Sequence, residues 1–513
     1  MTEAPGRALL AGVLAGGLAL GVGELAAAVI RPAAAPVIAV GNRVIVLTPE
    51  PVKRWAISQF GTGDKSALLT GTYLLLAGCA ALIGLLAARR LAAGLVGIGL
   101  LGLFGCYCAA TAPAGRPADI VPSALGTLAG LFALSRLVAA AERDRTGRQP
   151  RRRPDGQLLA DRRQFLTAGL AVAGAAVATG FGGRLLQRSR FDAAAARARI
   201  TLPPPGSPAP APAGYDLGVS GVPFDTPAAD FYRIDTALTV PQLDPDTWQL
   251  RIHGRVSREL TLRYADLLDR PLVERWVTLT CVSNEVGGDL ISTALFRGVL
   301  LAPLLREAGV APGADQLLAT SSDGMTIGTP TSVVLDGRDA MLAIGMNGAP
   351  LPVPHGFPVR MVVPGLYGYV SACKWIVDLE ATTFAERQAY WVRGGWAPRG
   401  PVRLASRIDR PTGSQRLTAG RPVPVAGVAW DQHVGVSRVE VQVDGQPWQP
   451  ARLAPVPSVD TWRQWVWTWT PTPGKHQLRV RAFDATGRPQ DADPTDPFPS
   501  GATGLHTVTV TAR

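Results

Sequence analysis

Along the chain the apolar positions change rhythm twice. Up to about residue 185, Ala, Leu, Gly and Val run on with few interruptions by charge. A membrane-spanning helix needs roughly 20 such residues. Ser66–Ala88, Leu91–Gly115 and Gln164–Gly183 carry no charge over that length. Ala8–Ile30 joins them if Glu24 is tolerated near its end, and Ile120–Ala141 if Arg136 reaches an interface. The pattern therefore predicts about five spans. Beyond residue 215 the rhythm shortens. Trp248-Gln249-Leu250-Arg251-Ile252 alternates as a half-buried strand does, with His253-Gly254 as the following turn. Tyr264–Leu268 and Leu300–Ala308 read as short helices, and Val359–Val363 and Lys374–Leu379 as strands, the former apolar enough for full burial.

The rhythm changes again past residue 407. Val439, Val441 and Val443 alternate with Arg438, Glu440 and Gln442 ahead of a turn at Asp444-Gly445. Trp465, Trp467 and Trp469 follow the same period, as do Leu478, Val480 and Ala482. Short alternating strands over about 100 residues predict an immunoglobulin-like β-sandwich. The expected organisation is multi-domain: a transmembrane helical segment in 1–185, a linker in 186–214, an α+β domain in 215–405 and the sandwich in 406–513. The linker has six Pro in the ten residues 203–212, a composition that favours an extended, semi-rigid spacer.

Charge refines this picture. The formal net charge is +12, but much of it sits in one place: residues 142–163 hold eight Arg against four acids. A basic loop between apolar runs follows the positive-inside rule rather than the logic of a nucleic-acid surface, so nucleic acid is not an expected partner. The rule places that loop and Arg89-Arg90 in the cytoplasm. With five spans the N-terminus is cytoplasmic, and everything after Gly183 is extracytoplasmic, on a multi-pass anchor in the cell membrane. The 31–65 loop, with five basic residues, fits this least well. Arg162-Arg163, ahead of Gln164-Phe165-Leu166 and an Ala/Gly-rich run, resembles a twin-arginine export signal, the route of proteins that fold around a cofactor before export. All five histidines lie at 253 or later. The membrane segment thus lacks imidazole ligands, and the chain has no Cys-x-x-Cys-His, so no haem is expected.

Five cysteines are too few for a disulfide scaffold. Cys79, Cys106 and Cys108 sit in apolar runs; Cys281 and Cys373 belong to the soluble part. Cys281 ends the β-rich stretch Trp276–Thr280 and is followed by Val282-Ser283-Asn284-Glu285, which puts a thiol at a strand-to-loop corner. A second segment, His355-Gly356-Phe357-Pro358-Val359-Arg360 running on to Lys374-Trp375, gathers cationic donors around a buried strand, an arrangement suited to phosphate.

In order and spacing, Cys281 with Asn284, Met346-Asn347-Gly348 with Leu351-Pro352, His355 to Arg360, and Lys374-Trp375 resemble the sulfite oxidase family of molybdopterin enzymes over roughly residues 225–400. The resemblance implies a mononuclear molybdenum-molybdopterin cofactor with Cys281 as its thiolate ligand. It implies that His355, Arg360 and Lys374 hold the pterin and its phosphate, with Asn284, Arg233 and Asp235 as further contacts. It places an active-site tyrosine near Tyr390, and makes the sandwich a dimerisation-type domain. The reaction implied is two-electron oxygen-atom transfer to or from a small molecule, with electrons passing singly to a separate redox carrier. A cysteine hydrolase and a zinc site built from Cys281, Cys373, His253 and His355 are weaker readings, because neither has the local setting it needs. A non-catalytic extracytoplasmic sensor on the same fold is a further alternative. Sulfite oxidases present arginine soon after the cysteine, whereas here Glu285 and Val286 stand in that stretch. The sequence therefore favours an uncharged or zwitterionic substrate, such as a sulfoxide, over sulfite. The alternative is the sulfite oxidation of the namesake enzymes. Arg387, Arg393 or Arg399 are the candidates to fold back and supply the missing charge.

Overall fold

The computed structural model describes residues 3–49, 64–112, 114–146, 156–190 and 192–513, together with 52, 55 and 59. It divides into two compact units: Met1–Asp192 with Ala237–Val240, and Ala193–Thr236 with Pro241–Arg513.

The first unit is helical. Its helices are α1 (Glu3–Ile30), α2 (Pro36–Leu47), α3 (Asp64–Arg89), α4 (Leu91–Ala110), α5 (Ile120–Thr146) and α6 (Gly156–Arg190). Among the described residues, five stretches are long and apolar enough to cross a membrane: Pro5–Ile30, Lys65–Arg89, Leu91–Ala110, Pro117–Ala141 and Phe165–Gln187. These are the five the hydropathy pattern predicts. The shorter α2 occupies part of the 31–65 stretch expected as a loop, with a Pro at its first turn.

Lipid tails are as apolar as Leu, so helices in a membrane hold together by close packing of small residues rather than by hydrophobic burial. α1 is the hub, packing on α3, α5 and α6. A Cβ on Gly12 would fall 2.0 Å from the Ala80 carbonyl oxygen, and one on Gly84 would fall 2.1 Å from that of Ala8, so α1 and α3 touch backbone to backbone. Arg31 Nε reaches Asp119 Oδ1 at 3.2 Å in a largely buried ion pair. Glu24 faces Arg184 and Gln187 of α6. Arg162 and Arg163 lie on α6, with side chains outside those described, and residues 147–155 of the basic loop lie outside the described residues.

The second unit opens with the short helix α7 (Ala193–Arg199). Ten strands then build two sheets, the first mixed and the second antiparallel. One has the order β2-β1-β10-β5-β6, from β1 (Gln249–Gly254), β2 (Leu260–Arg263), β5 (Gln316–Ser321), β6 (Thr326–Pro330) and β10 (Ile376–Thr382). The other has the order β3-β4-β7-β8, from β3 (Leu272–Thr280), β4 (Ile291–Leu300), β7 (Met341–Met346) and β8 (Ala349–Pro350), with β9 (Arg360–Val362) paired to β7. Leu250, Ile252, Leu317, Leu342, Met361 and Leu379 fill the core between them. The His253-Gly254 turn is corrected: both residues remain in β1, where parallel pairing with Glu380 and Ala381 carries the strand on.

The proline-rich stretch is not a free spacer either. Gly206 N–H donates to Leu272 O at 2.8 Å, and Glu274 N–H donates to Ser207 O at 2.9 Å. Arg297 Nη1 holds Pro203 O at 2.9 Å. Residues 203–207 thus lie along β3 and cover its open edge, the place where unpaired backbone groups most need partners.

The sandwich pairs β11 (Ala405–Arg410), β13 (Val423–Trp430), β17 (Arg463–Trp469) and β16 (Arg452–Leu453) in the order β11-β13-β17-β16. These face β12 (Arg416–Leu417), β19 (Thr507–Ala512), β18 (Gly474–Asp484), β14 (Val436–Val443) and β15 (Gln449–Pro450) in the order β12-β19-β18-β14-β15. Val439, Val441, Trp465, Leu478, Val480 and Ala482 form its core, as the alternation predicts. The sandwich is bound to the α+β part through β3. Gln432 Nε2 donates to Thr278 O at 3.0 Å, Trp462 N–H to Thr278 Oγ1 at 2.7 Å, and Trp462 Nε1 to Phe224 O at 2.8 Å.

Candidate active site

β3 and β4 are joined by a loop whose first residue is Cys281, just past the end of the strand. The loop is closed by its own backbone. Cys281 N–H donates to Leu290 O at 2.9 Å, and Asn284 N–H donates to Cys281 O at 3.1 Å. Cys281 is buried, at 8 % exposure, and forms no disulfide. Burial pushes its thiol pKa up, while hydrogen bonding to Ser283 works in the opposite direction.

Two tyrosines stand within electrostatic reach of this sulfur. Tyr367 is buried and Tyr232 partly so; burial raises both phenols, Tyr367 to about 12, and each is raised further by Cys281. Neither was singled out in the sequence, although Tyr232 lies inside the segment that carries Arg233 and Asp235. The Tyr390 backbone N–H donates to Thr326 Oγ1 at 3.0 Å and its ring meets Trp391 edge-on. Those contacts seat it against β6.

Residues 231–235 form a crossbar from this corner to the cationic segment. The Phe231 ring meets His355 edge-on, with centroids 5.5 Å apart, and stacks on Tyr232. Tyr232 lies within reach of both Cys281 and Arg360. The Asp235 carboxylate, 5 % exposed, pairs with Lys374 Nζ at 3.0 Å and Arg233 Nε at 3.3 Å. Lys374 also donates to Ile234 O at 3.1 Å.

His355 Nε2–H donates to Ala228 O at 2.9 Å. Burial and the nearby Arg360 charge bring its pKa down to about 4, so it is neutral at ordinary pH, with Nδ1 as an acceptor. Arg360 is held by β9 in the core, and burial lowers its guanidinium pKa to about 10. Nη1 donates to His355 O at 3.3 Å, but the buried Nε has no protein partner.

Asn284 Oδ1 accepts from Leu290 N–H at 2.9 Å and so closes the Cys281 loop. The three candidate arginines are engaged elsewhere: Arg387 with Glu380 at 3.4 Å, Arg393 with Gln388 O at 2.7 Å, and Arg399 over the Phe384 ring. A small cavity of about 20 Å³, lined by Glu285, Val286, Tyr367, Arg403 and Gln490 but not by Cys281 itself, lies against the outer part of the Cys281 loop. Arg403 is tied to Ser500 through Nε at 3.0 Å and Nη2 at 2.7 Å. Among the described residues no three His, Cys, Asp or Glu side chains are grouped to hold a metal ion by themselves, which leaves the zinc reading without a site.

A buried thiol near a cluster of cationic side chains is an arrangement that a molybdopterin enzyme can use, and comparison with known proteins identifies the family. Residues 237–391 match the oxidoreductase molybdopterin binding domain family, and residues 405–480 match the bacterial Ig domain family. Human mitochondrial sulfite oxidase is 30% identical over 295 residues, 47% of this chain and 53% of that protein. The chain thus spans about half the length of that relative. The uncharacterized oxidoreductase YuiH of Bacillus subtilis is 30% identical over 157 residues, 31% of this chain and 76% of that protein. The sulfane dehydrogenase SoxCD of Paracoccus pantotrophus shares the fold, with a TM-score of 0.50 at 24% identity, covering 58% of this chain and 85% of that one. The chain belongs to the sulfite oxidase-like molybdopterin oxidoreductases.

The cofactor of the family is molybdenum-molybdopterin, and the residues present fit it. In this cluster Arg233, Arg360 and Lys374 face Asp235, three cations to one anion among the named groups, a net charge of +2. The unpartnered Arg360 Nε is a buried donor of the kind a phosphate or pterin oxygen satisfies.

Proposed function

We propose that this protein is a membrane-anchored oxidoreductase that moves one oxygen atom to or from a small uncharged or zwitterionic molecule, with Cys281 as the protein ligand of molybdenum. The carrying observation is the pairing of a buried, unbridged thiol with a fully buried guanidinium whose Nε lacks a partner, joined by the 231–235 crossbar. The bound cofactor supplies the two-electron redox chemistry. The chain's residues do the rest. Cys281 gives up its proton to become a ligand, against the pull of burial. Arg360, Lys374 and Arg233 anchor the anionic end, Asp235 holds the latter two in place, and neutral His355 offers Nδ1 as an acceptor. Tyr232 and Tyr367 lie within electrostatic reach of the sulfur, which makes them stronger candidates than Tyr390 for a role at the reacting atoms.

The residues after Cys281 support the substrate class. Glu285 and Val286 stand where sulfite oxidases carry arginine, and at an effective dielectric near 20 and about 6 Å a misplaced unit charge is worth on the order of 3 kcal/mol. A neutral or dipolar substrate does not meet that penalty. Electrons pass singly to a separate carrier. In this reading the five apolar helices anchor the catalytic part, the positive-inside rule favours an extracytoplasmic catalytic domain, and the sandwich offers a surface for homodimer formation.

The test is metal and pterin analysis of the purified full-length protein, followed by steady-state assays with sulfite and with methyl sulfoxides using artificial electron carriers. One molybdenum and one pterin per chain are expected, with turnover of sulfoxide and poor use of sulfite. Cys281→Ser should keep the pterin and lose turnover. Absence of stoichiometric molybdenum would overturn the reading as a whole. Efficient sulfite oxidation at micromolar concentrations would return the chain to the namesake activity of its relatives.

A further inference from the structure

The loop from Cys281 to Leu290 closes on itself by hydrogen bonds, but its outer half is also gripped from the C-terminal sandwich. Arg407, on β11, donates through Nη1 to Gly288 O at 2.7 Å. Its Nε is held by Asp409 Oδ1 at 2.6 Å, and both side chains are largely buried, so the guanidinium has a fixed aim. The next residue of the same strand, Ile408, donates its N–H to His506 Nδ1 at 3.0 Å. That bond orients the His506 ring, just ahead of β19, against Gly287. Gly287 has φ +79, and a Cβ built there would lie 2.3 Å from His506 Cδ2. The left-handed backbone and the ring each exclude a side chain at this point. Two strands from opposite sheets of the sandwich therefore close on adjacent residues of the loop that begins with the cysteine.

We infer that Arg407 and His506 are positioning residues for the active site: the sandwich sets where the Cys281 loop sits, and with it where Glu285 and Val286 stand relative to the cysteine. This rests on the function proposed above, which assigns Cys281 its role. Neither side chain needs to touch substrate or cofactor. They act through Gly287 and Gly288, the two residues after Glu285-Val286, and a shift of about 1 Å at reacting groups costs on the order of a hundredfold in rate. The sandwich is thereby part of the catalytic unit and not only an oligomerisation module.

The experiment uses full-length holoenzyme and reads amide hydrogen exchange alongside kinetics. In Arg407→Ala and His506→Ala, exchange in the 282–290 peptide should rise at least tenfold, while the 355–375 peptide stays as in the parent protein. Molybdenum and pterin content should hold, kcat should fall tenfold or more, and Arg407→Lys should recover part of both losses. Should Arg407→Ala not fold because Asp409 is left buried and unpaired, the double variant Arg407→Met with Asp409→Asn removes both charges and is read in the same way. Unchanged exchange in 282–290 overturns the proposal, and so does an equal rise in both peptides, which would mean general loosening. The exchange measurement needs no turnover. A parent protein without molybdenum would therefore sink the proposed function while still deciding this point.

Discussion

Arg360 and Lys374 look equivalent in the sequence, as two cations flanking one strand, but their surroundings separate their roles. Lys374 has a buried carboxylate and a carbonyl as partners, whereas Arg360 keeps a buried Nε with none. Charge-assisted hydrogen bonds contribute about 1.5–3 kcal/mol, roughly 10- to 150-fold in binding. Arg360→Ala is expected to lower pterin occupancy by that order. Lys374→Ala should also lower it, and additionally strand Asp235 with Arg233 as its remaining cation. Pterin released per mole of purified variant measures both, and full occupancy in both would show that the anchors are misassigned.

His355 carries a pH signature at the same scale. The folded protein holds its pKa near 4 against an ordinary value of 6.5, so the native state resists protonation. The sign follows from linkage: the stability is whole above pH 6.5 and is lost as pH falls from 6.5 toward 4, by about 3 kcal/mol in total. Denaturant midpoints of the parent protein and of His355→Gln across pH 4–7 test this. The variant should be less stable at pH 7 and show a flatter acid limb.

At the level of elements, the proline-rich segment changes meaning once its hydrogen bonds are known. Its composition alone describes an extended chain, and the structure agrees on conformation. What composition cannot convey is that an extended chain with free carbonyls matches the open edge of β3. Residues 203–207 are therefore expected to stabilise the strand that ends at Cys281. A soluble fragment beginning at Ala193 should melt several degrees above one beginning at Tyr215, as read by calorimetry. Equal melting temperatures would reduce the segment to a spacer. The same logic applies at Asn284: its position three residues after Cys281 was legible, but its use in closing the loop depended on where Leu290 returns.

On the scale of the whole molecule, five apolar helices and a cofactor-type domain on one chain raise the question of which side of a membrane the catalytic domain occupies and how it gets there. Arg162-Arg163 offers an answer that can be separated from simple topology. Replacing both by Lys keeps the positive charge that orients the helices but removes what an arginine-reading export route recognises. The expected outcome is loss of the loaded domain from the extracytoplasmic face, seen by protease accessibility and molybdenum content of membrane fractions. If the loaded domain is exported undiminished, ordinary insertion suffices.

The sequence alone determined what local pattern and residue chemistry can carry. The runs of uncharged apolar residues specify helices whatever surrounds them, because backbone groups in lipid must pair within their own helix. Period-two alternation marks strands such as Val439–Val443 and the core faces of the sandwich. The motif around Cys281 and the His355–Lys374 segment carried the cofactor class. Tertiary structure decided everything that depends on convergence between distant segments. It brought Tyr232 and Tyr367 to the cysteine and turned Asp235 toward both Arg233 and Lys374. It sent Arg387, Arg393 and Arg399 to other partners and closed Arg407 and His506 on the Cys281 loop. The reason is physical: periodicity reports which face of an element is buried, but not which other element buries it, and a site is made of such meetings.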